Sequence, residues 1–390
     1  MSQSFDVIIV GGGLVGASLA LALAPARLSV AVVEFLPIKP LPGDDSWDNR
    51  VYAISPGSAA FLESCGVWQG VPQERVMPVE AMRIYGDDAA SRLDFSAYDA
   101  GLRELAFIVE NRLLQHAAWQ RLRHAGHASL FCPAHCAGVD WSEDRVRLLL
   151  EDRTELTARL IVGADGADSW LRAQAGIKTK PREYGQLGVV ANFTTEKPHR
   201  GVACQWFRRD GILALLPLAG NRVSMVWSAA EPRARELLAL TPHDLAGEVA
   251  SASHHSWGGL QPLTPPAAFP LRMQHIDSII KSRVALVGDA AHNVHPLAGQ
   301  GVNLGFRDAR ELAGVLLDRG AQTDCGDHAL LRRYERARKE DILALQFTTD
   351  ALQKLFNNDA VLLATARNLG LRLVNRQQQL KNLLVRQAVA

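Results

Sequence analysis

The sequence predicts an α/β fold in which a parallel-sheet domain is interrupted by an antiparallel-sheet domain and followed by C-terminal helices. Two apolar, β-branched runs at 7–10 and 284–287 have the composition of strands buried on both faces. Between them, at 187–228, short alternating segments separated by turns are typical of an antiparallel sheet. The predicted boundaries are 1–180 and 276–340 for the first, discontinuous domain, 181–275 for the second domain and 341–390 for the C-terminal helical segment.

The composition excludes several classes of protein. The 390 residues include 42 basic and 41 acidic side chains, and 48% of the residues are hydrophobic. A nearly neutral chain lacks the basic footprint of a nucleic-acid-binding protein, and this apolar fraction excludes a disordered chain. Five cysteines are an odd number and fit a reducing compartment, so we expect a cytoplasmic protein.

The stretch 7–26 has no charged residue and is long enough to imitate a membrane span. Asp6 precedes it, where a signal peptide would carry basic residues, and the three glycines from Gly11 to Gly13 divide it. We therefore interpret the stretch as a strand, a turn and a helix. Leu and Ala favour a helix over 14–24 that Pro25 ends, and a second buried strand follows at 28–33.

The remaining elements follow from hydrophobic periodicity and turn residues. The first domain is completed by predicted helices at 57–66 and 102–125 and by strands at 145–150 and 155–162. The antiparallel sheet is predicted from strands at 187–193, 203–207, 212–216 and 222–228. From Asp327 onward the pattern is helical.

A glycine motif, G-x-G-x-x-G, opens the first predicted helix with Gly11, Gly13 and Gly16. Its glycines allow a tight turn, close approach of a diphosphate to the backbone, and close packing of helix on strand. Glu34 ends the second strand, where a carboxylate would accept hydrogen bonds from an adenosine ribose. The acidic residue favours an unphosphorylated ribose, and therefore FAD or NAD over NADP, in a Rossmann-like domain.

Two further strand ends carry candidate ligand-binding residues. Asp165 follows the predicted strand that ends at 162, and a helix N-cap at Asp168 or Ser169 explains the same residues equally well. Asp289 follows the strand at 284–287, and the glycines of 299–305 would allow close approach to a flat ring. A helix beginning near Val302 would direct its positive dipole end toward that ring.

In this order the three motifs resemble those of class A flavoprotein monooxygenases, the aromatic hydroxylases with a p-hydroxybenzoate hydroxylase fold. More narrowly, the chain resembles ubiquinone-biosynthesis hydroxylases that act on polyprenylated phenols. The segments that carry the resemblance are 50–55, 109–111, 211–218, 284–292 and 295–306.

The resemblance implies a cofactor, FAD, and a set of residues that bind it. The glycine motif and Glu34 would hold the AMP half, Asp289 the ribityl chain, and 299–303 the isoalloxazine ring. A solvated arginine is the alternative interpretation of Arg50 and of Arg112. The implied cofactor-binding residues are Gly11, Gly13, Leu14, Val15, Gly16, Glu34, Arg50, Asn111, Arg112, Asp165, Asp289, Gly299, Gln300, Gly301, Val302 and Asn303.

The implied reaction is hydroxylation of a polyprenylphenol or quinol ring by O₂ through a flavin C4a-hydroperoxide, with NAD(P)H as transient electron donor. No side-chain nucleophile is expected, because the cofactor carries the chemistry. His295 and Pro296 are candidates for the face between flavin and substrate, although His295 also fits a hydrogen-bonded structural histidine. Two alternatives stay open: a related hydroxylase of a small soluble aromatic, and a non-catalytic FAD-binding scaffold of a biosynthetic complex.

Two other features concern metals and membranes. Cys132, His135 and Cys136 lack the ligand spacing of a zinc site, so we expect no metal. The segment 360–390 carries five basic and no acidic residues among leucines. Such a helix fits peripheral contact with the inner face of a membrane, a partner of a biosynthetic complex, or packing on its own domain.

Overall fold

The computed structural model describes residues 2–86, 91–292, 301–320 and 322–356, together with Asn375, Gln377, Lys381, Asn382 and Val385. The strands are Ser2–Ser4 (β1), Val7–Val10 (β2), Val30–Val33 (β3), Val51–Ile54 (β4), Met77–Val79 (β5), Ala81–Tyr85 (β6), Arg92–Ser96 (β7), Ala106–Glu110 (β8), Ala128–Phe131 (β9), Cys136–Trp141 (β10), Val146–Leu150 (β11), Glu155–Ala158 (β12), Leu160–Gly163 (β13), Thr179–Thr195 (β14), Val202–Arg208 (β15), Gly211–Leu218 (β16), Arg222–Ala230 (β17), Leu260–Pro262 (β18), Ala267–Ile276 (β19), Ile280–Lys281 (β20) and Val284–Leu286 (β21). The α-helices are Leu14–Ala22 (α1), Pro56–Ser64 (α2), Asn111–Arg123 (α3), Trp170–Gln174 (α4), Glu231–Ala239 (α5), Pro242–Ala252 (α6), Gly301–Leu317 (α7) and His328–Phe356 (α8).

A largely parallel sheet forms the centre of the first part of the chain. Its strand order is β20-β21-β13-β2-β3-β9, and only the pairing of β20 with β21 is antiparallel. Every residue of β2 and β3 is buried, and the core around them contains residues of α1, α3 and α7 and of the strands β11 and β12. The predicted strands at 7–10 and 284–287 are therefore confirmed as neighbours of β13 in one sheet.

A second, larger sheet is built mainly from antiparallel hairpins. Its order is β18-β14-β17-β16-β15-β6-β7, with β19 pairing on β14. Helices α5 and α6 cover one face, where alternate residues of β14 to β17 join the apolar core of the two helices. Strands β6 and β7 join this sheet through a parallel pairing with β15, although they lie within the predicted segment 1–180. The division into domains stays a prediction.

Two sequence-based predictions in the first half were wrong. The predicted helix at 102–125 begins only at Asn111, because the preceding β8 pairs with β4 and β5. Leu105, Val109 and Leu113 have helical spacing, whereas Phe107, Ile108 and Val109 are aromatic or β-branched residues that favour a strand, so the pattern is ambiguous. The predicted strand at 155–162 is two strands, since β12 pairs with β1 and β13 pairs with β2 in different sheets.

In the parts of the chain that the structure describes, no helix combines the length and apolarity needed to cross a membrane.

Candidate active site

The starts of several helices meet at the carboxyl edge of the parallel sheet. Val15, in the first turn of α1, packs against Gly288 after β21 and against Gly305 of α7. Asn303, at the start of α7, donates its amide to the carbonyl of Ala53 at 2.8 Å and accepts from the Ser55 N–H at 2.9 Å. These contacts hold α1, α2 and α7 with their positive dipole ends at one edge, an arrangement suited to an anionic ligand.

The three motif glycines have different surroundings. A Cβ on Gly11 would lie 2.3 Å from the Ala164 carbonyl oxygen, and one on Gly16 would lie 2.0 Å from that of Gly11. Gly11 also has a φ of +104°, which L side chains rarely adopt. By contrast, no described atom lies within 4 Å of a Cβ built on Gly13, the N-cap of α1. Gly11 and Gly16 are required by the fold, whereas the space beside Gly13 is open.

Glu34 is fixed at the end of β3 by the glycine turn. Its carboxylate accepts from the Gly12 N–H at 2.5 Å and from the Leu36 N–H at 3.1 Å. The indole of Trp119, on α3, donates to the Gly12 carbonyl at 2.7 Å and packs against the same glycine. Sequence reasoning missed Trp119; its signal was a large aromatic residue within an amphipathic helix.

Arg50, Tyr52 and Asp289 lie near one another at the carboxyl edge of the parallel sheet, where open α/β sheets bind ligands in a crevice. The Arg50 guanidinium lies over the Tyr52 ring, 5.4 Å from its centroid. Asp289 is exposed to the crevice, yet the surrounding protein raises the pKa of its carboxyl by burial, an effect that His292 and Arg50 oppose. Burial also raises the pKa of the Tyr52 hydroxyl. An accessible carboxylate at the end of a parallel strand is well placed to accept hydrogen bonds from ligand hydroxyls.

Behind this crevice, Asp308 of α7 connects three elements. It is fully buried, and its carboxylate accepts from the Gly288 N–H at 2.9 Å, from His292 Nε2 at 2.5 Å and from Arg338 Nε at 2.7 Å. Burial acts to raise the pKa of Asp308, but His292 and Arg338 together lower it below its usual value. Asp308 therefore ties α8 to the turn that presents Asp289.

A second buried carboxylate, Glu110, supports the segment that carries Arg50. Arg75 pairs with Glu110 at 2.6 Å and Arg112 at 3.0 Å, and both guanidinium groups also donate to Ser46. The Asp48 N–H donates to Glu110 at 2.7 Å, and the Asp48 carboxylate accepts from the Arg50 N–H at 3.0 Å. The described contacts of the Arg112 guanidinium are thus with protein groups.

Asp165 and its neighbours form the turn after β13. Its carboxylate accepts from Ser169 Oγ at 2.5 Å and from the Leu171 N–H at 3.0 Å, and Ser169 is the N-cap of α4. The capping alternative is confirmed for Ser169. Arg172, which sequence reasoning missed, is buried and donates to the carbonyls of Ala167 at 2.7 Å and Ala290 at 3.0 Å. It joins the turn after β13 to the turn after β21.

Comparison with known proteins decides the family. The profile of the family described as FAD binding domain matches residues 4–346. This chain belongs to the FAD-binding domain family. Its cofactor is FAD.

Two relatives and one solved structure are similar to this chain. The ubiquinone hydroxylase UbiL of Rhodospirillum rubrum is 38% identical, over 98% of this chain and 89% of that protein. The 3-demethoxyubiquinol 3-hydroxylase of Escherichia coli is 34% identical, over 100% of this chain and 99% of that protein. The crystal structure of Pseudomonas aeruginosa PqsL in complex with 2-aminobenzoylacetate has a TM-score of 0.79 at 23% identity, covers 95% of this chain and 100% of PqsL, and shows a shared fold.

The residues at the crevice fit FAD. The open space at Gly13 adjoins the first turn of α1, which has no side-chain cap among the described residues, so its free N–H groups suit a diphosphate. Glu34 and Asp289 are carboxylates at the ends of two strands on either side of that turn, as the ribose and ribityl hydroxyls of FAD require.

The assignment of the implied residues to FAD stays a prediction, and the structure gives their surroundings. Leu14 and Val15 are apolar residues of α1 that pack inward, and Asn111 begins α3, donating its N–H to the Arg50 carbonyl at 2.8 Å. Gly301 and Val302 begin α7. The candidates His295, Pro296, Gly299 and Gln300 lie outside the described residues.

Among the described residues, no group of three or more His, Cys, Asp or Glu side chains is arranged to hold a metal ion. Cys136 is partly buried, and this burial raises the pKa of its thiol to about 12. The two cysteines of this segment, Cys132 and Cys136, are free thiols.

Proposed function

We propose that this FAD-dependent monooxygenase hydroxylates the aromatic ring of a polyprenylated quinol or phenol, a precursor of ubiquinone, with NAD(P)H and O₂ as co-substrates. The family match and the ubiquinone hydroxylase relatives support the oxidoreductase class and a quinol-type substrate. The observation that carries the substrate assignment is the uncharged face of the large sheet beside the Arg50 crevice.

This face is the side of β14 to β17 opposite to α5 and α6. Residues 189, 191 and 193 of β14 belong to the core under the helices, so their neighbours at 188, 190 and 192 lie on the other face. Apart from Arg222 at the end of β17, the equivalent residues in the adjoining strands are small, apolar or uncharged. They are Ala203, Gln205 and Phe207 of β15, Ile212, Ala214, Leu216 and Leu218 of β16, and Ser224, Val226 and Ser228 of β17. Such a wall suits an uncharged ring with a hydrocarbon tail.

The same face adjoins the FAD crevice. Asn192 donates its amide to the Asp48 carbonyl at 2.9 Å, and Asp48 in turn holds the Arg50 N–H. Leu218 and Ala203 pack with Trp47 in a small apolar cluster that also contains Val79 of β5 and Ile108 of β8. These contacts support a single site in which the wall and the crevice are adjacent.

A hydroxylase of an anionic aromatic would need a cation on this face. Among the residues that the structure describes on β15 to β17, Arg222 at the end of β17 is the charged residue on this side. Its guanidinium lies over the Trp47 ring, 5.4 Å from the centroid, and donates to the Ala219 carbonyl at 2.9 Å. These contacts hold the guanidinium at the end of β17, although its Nε atom is buried without a hydrogen-bond partner among the described residues. The rest of the face is uncharged and favours an uncharged substrate over a soluble carboxylate.

When bound, FAD supplies the oxygen-activating chemistry, and the chain supplies binding and orientation. Asp289 and Glu34 would hold hydroxyls of the cofactor, and the starts of α1 and α7 would face its anionic groups. The apolar wall would exclude water from the reacting ring. His295 and Pro296 stay candidates for the substrate side of the site.

The test uses purified FAD-loaded protein, a short-chain prenylated phenol or quinol, NADH or NADPH, and ¹⁸O₂. We expect substrate-dependent oxidation of the nicotinamide and a product that carries one ¹⁸O on the ring, detected by mass spectrometry. A protein that oxidises neither nicotinamide under any of these conditions would instead be a scaffold. Supplying the gene to strains that each lack one ring hydroxylase would identify the ring position from the quinone intermediate that disappears.

For localisation, we propose a cytoplasmic protein that contacts the membrane peripherally through 360–390, where a polyprenylated substrate resides. One of the five basic residues of this segment is not available for that contact, since Lys381 is buried and donates to the Asp94 carbonyl at 3.1 Å. Asn375 also accepts from the Asp94 N–H at 3.1 Å. The proposal therefore rests on the four arginines Arg367, Arg372, Arg376 and Arg386.

A further inference from the structure

Asn192 and Ser224 are two polar residues within the uncharged face of the large sheet. They are directly opposite each other across β14 and β17, and both are fully buried. Ser224 is also directly opposite Leu216 of β16, on the same face. Directly opposite residues of antiparallel strands are about 5 Å apart, so these side chains are neighbours.

Each of the two side chains has a polar atom without a hydrogen-bond partner in the described part of the chain. The Oδ1 atom of Asn192 and the Oγ atom of Ser224 are both buried and unpaired. The orientation of the Asn192 amide is fixed, because its Nδ2 atom donates to the Asp48 carbonyl. Buried polar atoms are nearly always paired, so an adjacent unpaired acceptor and hydroxyl call for an explanation.

The position of the pair points to the substrate. The Asp48 carbonyl that Asn192 holds is two residues from Arg50, whose side chain borders the crevice. Leu216 and Val226, the neighbours on the same face, are only partly buried, so the wall is accessible beside the pair. Under the proposed function, the ring that is hydroxylated would lie beside this wall, next to the FAD that Arg50 and Asp289 would hold.

We propose that Asn192 and Ser224 form the subsite that binds a ring oxygen of the substrate; this inference rests on the proposed function. The ring hydroxyl donates to Asn192 Oδ1, and the Ser224 hydroxyl donates to a ring oxygen. The substrate is therefore a hydroxylated aromatic ring, and the apolar neighbours contact its remaining carbons. The pair discriminates against rings without the oxygen, because such a ring leaves both polar atoms unpaired.

The experiment is a thermodynamic cycle on FAD-loaded protein. One change is the substitution Ser224→Ala, and the other is the removal of the hydroxyl group from the ligand. Two short-chain ligands are compared, a prenylated phenol and the same molecule with hydrogen in place of the hydroxyl, and each Kd is measured from the change in flavin absorbance. We expect Ser224→Ala to weaken the phenol about 5-fold to 10-fold, as for loss of one neutral hydrogen bond, and to leave the deoxy ligand unchanged. Ser224→Ala should fold normally, since Ser224 Oγ is an unpaired buried atom in the structure.

The matched control is Ser18→Ala. Ser18 lies on α1, is fully buried and also has an unpaired Oγ atom among the described residues, but it is remote from the sheet face. We expect both variants to keep or slightly raise the unfolding midpoint of the wild-type protein, and Ser18→Ala to bind both ligands as the wild type does.

Equal effects of Ser224→Ala on the two ligands, or no effect on either, would overturn the subsite. The unpaired atoms of Asn192 and Ser224 would then bind a buried water molecule instead of the substrate. Weaker FAD binding with unchanged phenol discrimination would also overturn it, in favour of a role toward the flavin. A wild type that binds the phenol with this discrimination and yet hydroxylates no ring contradicts the proposed function and leaves the subsite in place.

Discussion

At the scale of single residues, the glycines of the first turn separate folding from cofactor binding. The Gly13 backbone has a φ of −62°, which valine adopts without strain, and its Cβ position is open. We expect Gly13→Val to leave the free energy of unfolding of the FAD-free protein unchanged within about 0.5 kcal/mol. The valine side chain would occupy the space for the diphosphate and weaken FAD binding at least about 100-fold.

The matched variant is Gly16→Ala, whose Cβ would lie 2.0 Å from the Gly11 carbonyl oxygen. Overpacking against backbone costs about 1–3 kcal/mol or more, so this variant should lower the stability of the FAD-free protein itself. The two are compared by urea unfolding and by the ratio of flavin to protein absorbance after purification. A yellow, fully loaded Gly13→Val protein would contradict the assignment of this turn to FAD.

At the scale of elements, Arg338 connects α8 to the Asp289 turn through Asp308. Both side chains are buried, so Arg338→Met leaves the Asp308 carboxylate with fewer partners in a region without solvent. Breaking such a buried pair costs about 3–5 kcal/mol, measured by urea unfolding. Arg336→Met, on the exposed side of the same helix, is the control and should change the free energy of unfolding by no more than about 0.5 kcal/mol.

The stability difference between the wild type and Arg338→Met should depend on pH. Because His292 and Arg338 lower the pKa of Asp308 in the folded state, its stabilising contribution is present above the pKa of about 3.9 of an unfolded aspartate. It is lost as pH falls from there through the lowered folded value. The difference should therefore be constant near pH 7 and shrink below about pH 4. A difference that grows with acidity would mean that Asp308 is protonated in the native protein.

The elements also show which parts of the fold local sequence determines. The glycine turn, Glu34 and Asp289 could be predicted because each motif specifies its own backbone geometry at the end of a strand. The start of α3 could not, since the apolar residues before Asn111 fit both a helix and a strand. The pairing of β8 with β4 and β5, which lie earlier in the chain, decides between them.

At the scale of the whole molecule, the residues that sequence reasoning missed are those whose partners are distant in the chain. Glu110 holds Asp48 across 62 positions, and Arg172 reaches the Ala290 carbonyl across 118. Glu110 lies in the segment 109–111 that carries the family resemblance, but its partner is not evident from the sequence, and Arg172 belongs to no sequence pattern at all. Only the folded chain shows that they support the segments bearing Arg50 and Asp289. The same holds for Asn192, which looks like an ordinary strand residue until Asp48 is brought to it.

The whole molecule also determines how a membrane contact is tested. Lys381 and Val385 are buried, so truncating the chain near Asp359 would remove packing as well as charge. We therefore choose the charge-neutralised variant Arg367→Gln, Arg372→Gln, Arg376→Gln, Arg386→Gln, which keeps both residues. The control neutralises four exposed arginines elsewhere, Arg103, Arg145, Arg332 and Arg333.

Each basic residue near an anionic surface contributes about 1 kcal/mol, and salt screens that attraction. In co-sedimentation with vesicles containing phosphatidylglycerol at low salt, we expect the first variant to bind at least about 10-fold more weakly than the wild type. The control variant should retain most of the wild-type binding. Equal losses in the two variants would mean that net charge alone drives adsorption, and the contact would then not reside in 360–390.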